Sequence, residues 1–140
     1  MNLDQKRVLI FQQRDWAIGP GQYLAKKLRD EGCILAAITL KDTVDAMIRR
    51  QTDVVYEDIF DHDAIWDDPY IVKGLRDISL ADVCESLGVD SIWPLASAER
   101  HYVRTYTGKL SYSFRQNRSD EDIIAYVKAC YLEVLRLLDE

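Results

Sequence analysis

Short apolar runs alternate with amphipathic segments over the first 57 residues of the chain. Val8–Phe11 and Cys33–Leu40 are continuous, partly β-branched apolar runs, which is typical of strands buried on both faces of a parallel sheet. Between them, Gln22–Glu31 carries apolar residues at helical spacing and is followed by Gly32, a helix-stopping residue. We expect the inner stripe of this helix to be Tyr23, Leu24, Ala25 and Leu28.

A second helix and a third strand continue the alternation. Asp42 or Thr43 can cap a helix after the second strand, and Asp53–Glu57 predicts the third strand. The inner side of that helix carries Val44, Met47 and Ile48. This spacing favours right-handed parallel β-α-β crossovers and therefore predicts a Rossmann-like α/β fold, a three-layer α/β/α arrangement with a small parallel sheet.

The second half of the chain carries helix signals instead of strand signals. Ser79 with Asp82 predicts a capped helix that ends at Gly88, another helix is expected over Pro94–Tyr106, and Ser119 is expected to cap the longest one. Apolar residues recur along that last helix at Ile123, Val127, Cys130, Tyr131, Val134, Leu135 and Leu138. We expect one domain over residues 1–140, with strand–helix repeats over about 7–57 and a mainly helical part over about 79–140.

A sheet of only three strands has at least one edge that is open to pairing. A further domain of a longer polypeptide, a partner chain or a second copy of this chain can complete it. A homo-oligomer is therefore one of the expected assemblies.

Composition narrows the classes of partner. Eighteen basic and 24 acidic residues give a formal net charge of −6, which argues against bulk electrostatic binding to nucleic acid or to an anionic membrane. The three cysteines are odd in number and widely spaced, so we predict buried thiols and neither a disulfide framework nor a zinc site. The first apolar run is too short for a signal peptide or a transmembrane segment, so a cytoplasmic protein is expected.

A glycine-containing segment follows the first predicted strand. Gly19 and Gly21 allow the backbone to approach a ligand, and the helix start beyond them, at Gln22, presents free N–H groups to an anion. Arg14 and Asp15, in the same predicted loop, can contact a hydroxyl-rich or phosphorylated ligand. The segment is not a complete GxGxxG fingerprint, and a plain turn between strand and helix with solvated charges is the alternative.

A second cluster combines an imidazole with carboxylates. His62 lies between Asp61 and Asp63, and a histidine beside carboxylates can act as the base that removes a proton from a sugar hydroxyl. Trp66 can stack on a sugar ring. The alternative is an acidic surface loop, and no recognised metal-ligand spacing is present.

A third cluster lies on the predicted Pro94–Tyr106 helix. Arg100 and Arg104 are four residues apart and can clamp a phosphate, with Glu99 beside them. A solvated helix face on which Glu99 pairs with a nearby cation is the alternative.

The first third of the chain resembles the amino-terminal domain of glycosyltransferases of the GT-B architecture, particularly those of bacterial capsule and surface-polysaccharide synthesis. The resemblance rests on the first strand, on the Gly19–Gln22 segment and on a helix of the form Leu-Ala-x-x-Leu-x-x-x-Gly. The positions that match this helix pattern are Leu24, Ala25, Leu28 and Gly32.

The resemblance implies a domain that holds a glycan or lipid-linked acceptor, while a donor-binding domain or partner chain holds the nucleotide-sugar. It implies no cofactor for this domain alone and no turnover without the donor-binding part. His62 or a neighbouring carboxylate is the candidate base. The alternatives are a non-catalytic α/β interaction or assembly module and a small nucleotide-binding protein, the latter weakened by the incomplete glycine fingerprint.

Overall fold

The computed structural model describes residues 2–94 and 119–139. Three strands, β1 (Arg7–Gln12), β2 (Ile34–Thr39) and β3 (Asp58–Asp61), form a parallel sheet in the order β1-β2-β3. This small parallel sheet, with helices between its strands, confirms the Rossmann-like α/β prediction. Because the order follows the sequence, β1 lies at one edge of the sheet.

The helices of the described residues vary from one turn and a half to more than five turns. In chain order they are α1 (Arg14–Ile18), α2 (Pro20–Asp30), α3 (Asp42–Arg49), α4 (His62–Asp67), α5 (Leu80–Leu87) and α6 (Asp120–Asp139). A single 3₁₀ turn, Pro69–Ile71, follows α4. The predicted helix over Pro94–Tyr106 falls almost entirely outside the described residues.

The alternation of side chains along each strand assigns helices to the two faces of the sheet. On one face, the side chains of Ile10 and Leu35 pack with Ala25 of α2, and Ala37 packs with Val44 and Ile48 of α3. Asp58 of β3 is on the opposite face, where it pairs with Arg136 near the end of α6. Helices therefore cover both faces of the sheet.

The third strand begins five residues later than the sequence pattern predicts, at Asp58 instead of Asp53. Asp53–Glu57 is not a strand: Val54 is buried in the core, whereas Val55 is 72% exposed. Parallel pairing with β2 begins at Asp58, opposite Ala36. The prediction was wrong because a connecting segment that buries one β-branched residue carries the same local sequence signal as a short strand.

The segment after β1 is also more regular than the predicted loop. Arg14–Ile18 forms α1, and α2 begins at Pro20, which is the favoured position for proline in the first helical turn. Arg14 has a φ of 34°, a left-handed value that is uncommon for a residue other than glycine.

Three helix boundaries confirm the predicted capping signals. Ser79 and Asp82 form a reciprocal capping box at the start of α5, and Gly88 ends that helix in the left-handed conformation. The Ser119 hydroxyl accepts a hydrogen bond from the Asp122 backbone N–H at 3.1 Å, which caps α6. At α3 the expected cap differs, because Lys41 occupies the N-cap position without a side-chain hydrogen bond.

The chain divides into two compact units. The first consists of Met1–Asp67 together with Glu133–Glu140 and contains the sheet. The second is Asp68–Leu132. The expectation of one domain over residues 1–140 stays a prediction.

Two other features of the described residues bear on the sequence analysis. Cys33, Cys84 and Cys130 are all free thiols; Cys33 is buried and the other two are partly buried. In the part of the chain that the structure describes, no helix combines the length and apolarity needed to cross a membrane.

Candidate functional site

A row of three polar residues crosses the carboxyl end of the sheet. Gln12 is paired in register with Thr39, and Thr39 with Asp61, so each strand ends in a polar side chain at the same level. Residues in register point to the same face of a sheet. Ligands of open parallel α/β sheets bind at this end of the strands, which makes the row the leading candidate site.

Gln12 and Thr39 are the fully buried members of the row, since neither residue is exposed to solvent. The Gln12 amide donates a hydrogen bond from Nε2 to the Tyr56 hydroxyl at 2.6 Å. Within the described residues, Gln12 Oε1 and Thr39 Oγ1 have no hydrogen-bond partner. A buried polar atom without a partner costs about 1–3 kcal/mol, and such a cost is typical of functional positions.

Asp61 is the half-buried, ionisable end of the row. Its Oδ1 accepts a hydrogen bond from the Asp63 backbone N–H at 3.0 Å. Burial raises the pKa of the Asp61 carboxyl above its usual range; backbone hydrogen bonds from Asp63 and Ala64 oppose this shift, and the negative charges of Asp45 and Asp63 add to it. A carboxylate of raised pKa is a better proton acceptor near neutral pH than an ordinary one.

The predicted Asp61–Asp63 cluster is the junction between a strand and a helix. His62 and Asp63 are the first two residues of α4, and the His62 ring lies 6.4 Å from the Phe60 ring, tilted by 59°. All three residues of the cluster are half-buried. The structure therefore differs from the alternative of an acidic surface loop, and the catalytic role of the cluster stays a prediction.

Trp66 occupies a different environment from the one expected for a sugar platform. The side chain is 3% exposed and contributes to the core of the described chain. Stacking on a sugar requires an accessible ring face. The role of Trp66 in binding stays a prediction that this burial does not favour.

The two glycines after β1 have different surroundings. Gly19 is exposed and forms the N-cap of α2, whereas Gly21 is buried in its first turn. A Cβ at Gly21 would lie 2.5 Å from Trp16 Nε1 and closer still to Gln12 Oε1. Gly21 thus allows α2 to approach the end of β1, and it connects the glycine segment to the polar row.

The other site residues predicted in this segment are either exposed to solvent or bonded to another part of the chain. Arg14 and Asp15 are exposed at the start of α1. Gln22 donates from Nε2 to the Asp53 carboxylate at 3.2 Å, and Lys26 lies 3.6 Å from the same carboxylate. Gln22 therefore joins α2 to the segment before β3.

The third predicted cluster is Glu99, Arg100 and Arg104. These residues lie outside the described residues, and their roles stay predictions.

Sequence reasoning missed two members of the row and one neighbour. Thr39 and Gln12 were assigned to an apolar run and to a loop, and Asp45 received no role. A signal was present for Gln12 and Thr39, because each is polar at or next to the end of an apolar run that predicts a parallel strand. Asp45 is salt-bridged to Arg49 at 2.6 Å, and this hydrogen bond raises the pKa of Arg49.

Comparisons with known proteins add no further assignment. The chain matches no protein-family model, and no curated protein or solved structure is significantly similar to it. Among residues 2–94 and 119–139, no group of three or more His, Cys, Asp or Glu side chains is arranged to hold a metal ion.

Proposed function

We propose that this chain is the acceptor-side, amino-terminal domain of a GT-B-like glycosyltransferase that acts in surface-polysaccharide synthesis in the cytoplasm. The observation that carries the proposal is the half-buried Asp61 carboxyl at the carboxyl edge of a parallel sheet, which continues a row whose other members, Gln12 and Thr39, are fully buried. A hydroxyl-rich acceptor needs several hydrogen-bonding groups that converge on one place. The resemblance of the first strand, glycine segment and helix supplies the class of reaction.

Asp61 is the proposed proton acceptor of the row. Attack of an acceptor hydroxyl on the anomeric carbon of a nucleotide-sugar forms the glycosidic bond, expels the nucleotide and releases the hydroxyl proton. A carboxylate with raised pKa can take this proton. His62, the next residue, is the second candidate for this step. Asp63 donates its backbone N–H to Asp61 and therefore acts as a positioning residue in this proposal.

Transfer of a sugar also needs a nucleotide-sugar and the groups that bind it. The proposal assigns these to a donor-binding domain or partner chain, so the chain alone is expected to bind acceptors without turning over. The incomplete glycine fingerprint, with a leucine at residue 24, supports this division.

A thermal-shift screen tests the proposal on the chain itself. Ligands that bind the folded state stabilise it and thereby raise the melting temperature. At a free ligand concentration of ten times the dissociation constant, the stabilisation is roughly 1.4 kcal/mol. We expect stabilisation by glycan oligosaccharides or polyprenyl-phosphate-linked glycans, and none by nucleotide-sugars.

Matched variants locate the binding. Asp61→Asn should lose most of the acceptor-induced shift, whereas Asp30→Asn, which changes an exposed carboxylate at the end of α2, should keep it. Stabilisation by nucleotide-sugars alone, or an unchanged acceptor shift in Asp61→Asn, would contradict the proposal.

The second candidate function is a non-catalytic interaction or assembly module. Large apolar side chains near β1 favour it: Phe11, Trp16 and Ile18 are each about half exposed. A folded protein that associates through this surface and responds to no glycan would favour this function over the first.

A further inference from the structure

We propose that the free edge of β1 is a dimerisation surface, on which a second copy of this chain adds its own β1 in antiparallel orientation. In the described part of the chain, β1 pairs with β2 alone, so its outer edge has unpaired backbone groups. The inference is independent of the acceptor-side function, since it concerns the opposite side of β1 from the Gln12–Thr39 pairing.

The edge opens into an apolar groove. A cavity of about 500 Å³ runs along β1 and is bounded by α1 and α2. Its lining residues, Gln13 being the single polar one, are Val8, Leu9, Ile10, Phe11, Gln13, Trp16, Leu24 and Leu28. The groove therefore has the shape and polarity that suit an added strand.

This edge lacks the features that keep exposed strands from pairing. Natural edge strands are commonly protected by lysine, proline, a bulge or an inward-pointing charge. The four residues Val8–Phe11 carry none of these, and Phe11 is 54% exposed. Leu24 of α2, predicted to be an inner residue, lines the same groove and is 41% exposed.

Charge favours a second copy at this place on the surface. Two chains of net charge −6 repel each other over most orientations. No lining residue of the groove is charged, so two copies can meet there without opposing like charges. A twofold axis perpendicular to the sheet makes the β1 strands of the two copies antiparallel. The same axis places both α2 helices on one face of the joined sheet, where Leu24 of each copy meets α2 of the other.

The exposed apolar area sets the expected strength. An aromatic side chain buries about 150–250 Å² when fully covered, so half-exposed Phe11 and Trp16 contribute on the order of 200 Å² per copy. A standard interface buries about 800 Å² per partner, which requires Leu24 and the strand backbone as well. Because the exposed side chains supply only part of that area, we expect a weak and reversible dimer.

Light scattering after size exclusion, at concentrations from about 1 to 500 µM, tests the proposal. Wild type should change from monomer to dimer over this range, and Phe11→Lys should raise the dissociation constant at least tenfold because each copy places a charge in the other's groove. Leu24→Lys, on the exposed side of a helix, is the second variant if Phe11→Lys melts at a lower temperature. Val55→Lys is the control, since Val55 is 72% exposed in the same unit and outside the groove.

Amide hydrogen exchange separates strand pairing from other contacts. The β1 amides that do not bond to β2 should exchange more slowly as protein concentration rises. A monomer at every concentration, an equal loss of dimer in Val55→Lys, or a dimer with no change in β1 exchange would each overturn the proposal. Asp61→Asn should leave the dissociation constant of the dimer unchanged. Failure of the dimer proposal can therefore be distinguished from failure of the ligand screen.

Discussion

At the scale of single residues, the environment of Asp61 differs most from what its sequence position indicates. A carboxylate in the series Asp61-His62-Asp63 is expected to be solvated. The structure instead makes it the last residue of β3 and the acceptor for the first N–H groups of α4, with its pKa raised by burial. Both properties are consequences of pairing with β2, which no local pattern indicates.

Asp61→Asn is expected to change the dependence of stability on pH. Asparagine keeps the acceptor oxygen for α4 and removes the buried charge. Because the folded pKa of Asp61 lies above the unfolded value of about 3.9, ionisation of Asp61 removes stability as pH rises from about 4 through the folded pKa.

Urea unfolding from pH 4 to pH 8 measures this effect. The stability of Asp61→Asn relative to wild type should increase over that window and then level off. Asp30→Asn is the control with opposite sign, since a hydrogen bond from Arg29 lowers the pKa of the Asp30 carboxyl. A constant difference between Asp61→Asn and wild type at every pH would show that the Asp61 carboxyl titrates equally in both states.

At the scale of elements, β1, β2 and the N-caps of α5 and α6 were predictable, whereas the N-cap of α3, the exposed side of α2 and the position of β3 were not. Continuous apolar runs indicate strands that are covered on both faces, and Ser79 and Ser119 indicate helix starts by local hydrogen bonding. Tyr23 and Leu24 were expected to face inward because helical spacing identifies a stripe and not its neighbours. In the structure Tyr23 is 66% and Leu24 41% exposed, and Leu24 lies along the outer side of β1, which has no neighbouring described strand.

The close approach of α2 to β1 predicts a strong effect of Gly21→Ala. The added methyl group would overlap the side chains of Gln12 and Trp16, so both side chains must shift to make room for it. Overpacking of this kind costs about 1–3 kcal/mol. Chemical denaturation should show that loss.

The neighbouring glycine is the matched control. A Cβ at Gly19 would meet one atom, the Asp15 carbonyl oxygen at 3.3 Å, which is a tight contact but much less close than those at Gly21. Gly19→Ala should therefore lose less stability than Gly21→Ala. Equal losses of stability in the two variants would mean that the packing of α2 against Gln12 does not require glycine at residue 21.

At the scale of the whole molecule, one ionic contact joins distant parts of the sequence within the first unit. Arg136 of α6 contacts Asp58 of β3, 78 residues away, and also binds Glu133 at 2.7 Å. The hydrogen bond from Arg136 lowers the pKa of the Asp58 carboxyl, although burial opposes it. Sequence analysis could not find this pair, because nothing local to either residue indicates the other.

Arg136→Met is expected to destabilise the protein in a pH-dependent way. The pair contributes about 1 kcal/mol after allowance for its partial exposure to solvent. Because the folded pKa of Asp58 is below the unfolded value of about 3.9, this stability is present above that pH and is lost as pH falls through the folded pKa.

Thermal unfolding between pH 2 and pH 7 measures the difference. The gap between wild type and Arg136→Met should be constant near neutral pH and should narrow below about pH 4. Arg50→Met, which removes an exposed arginine from the same unit, should give no such narrowing. The same narrowing in both variants would assign the acid response to overall charge instead of the Asp58 pair.

The inclusion of Glu133–Glu140 in the first unit has a consequence for synthesis on the ribosome. The strands are translated long before Arg136, and 78 residues at about 5–20 residues per second is a delay on the order of 4 to 15 seconds. During that interval the nascent sheet lacks the ionic partner of Asp58, and the apolar edge of β1 is already outside the exit tunnel. Neighbouring chains on one polysome therefore expose β1 before Arg136 has been added, so the proposed dimer can begin to form at that stage.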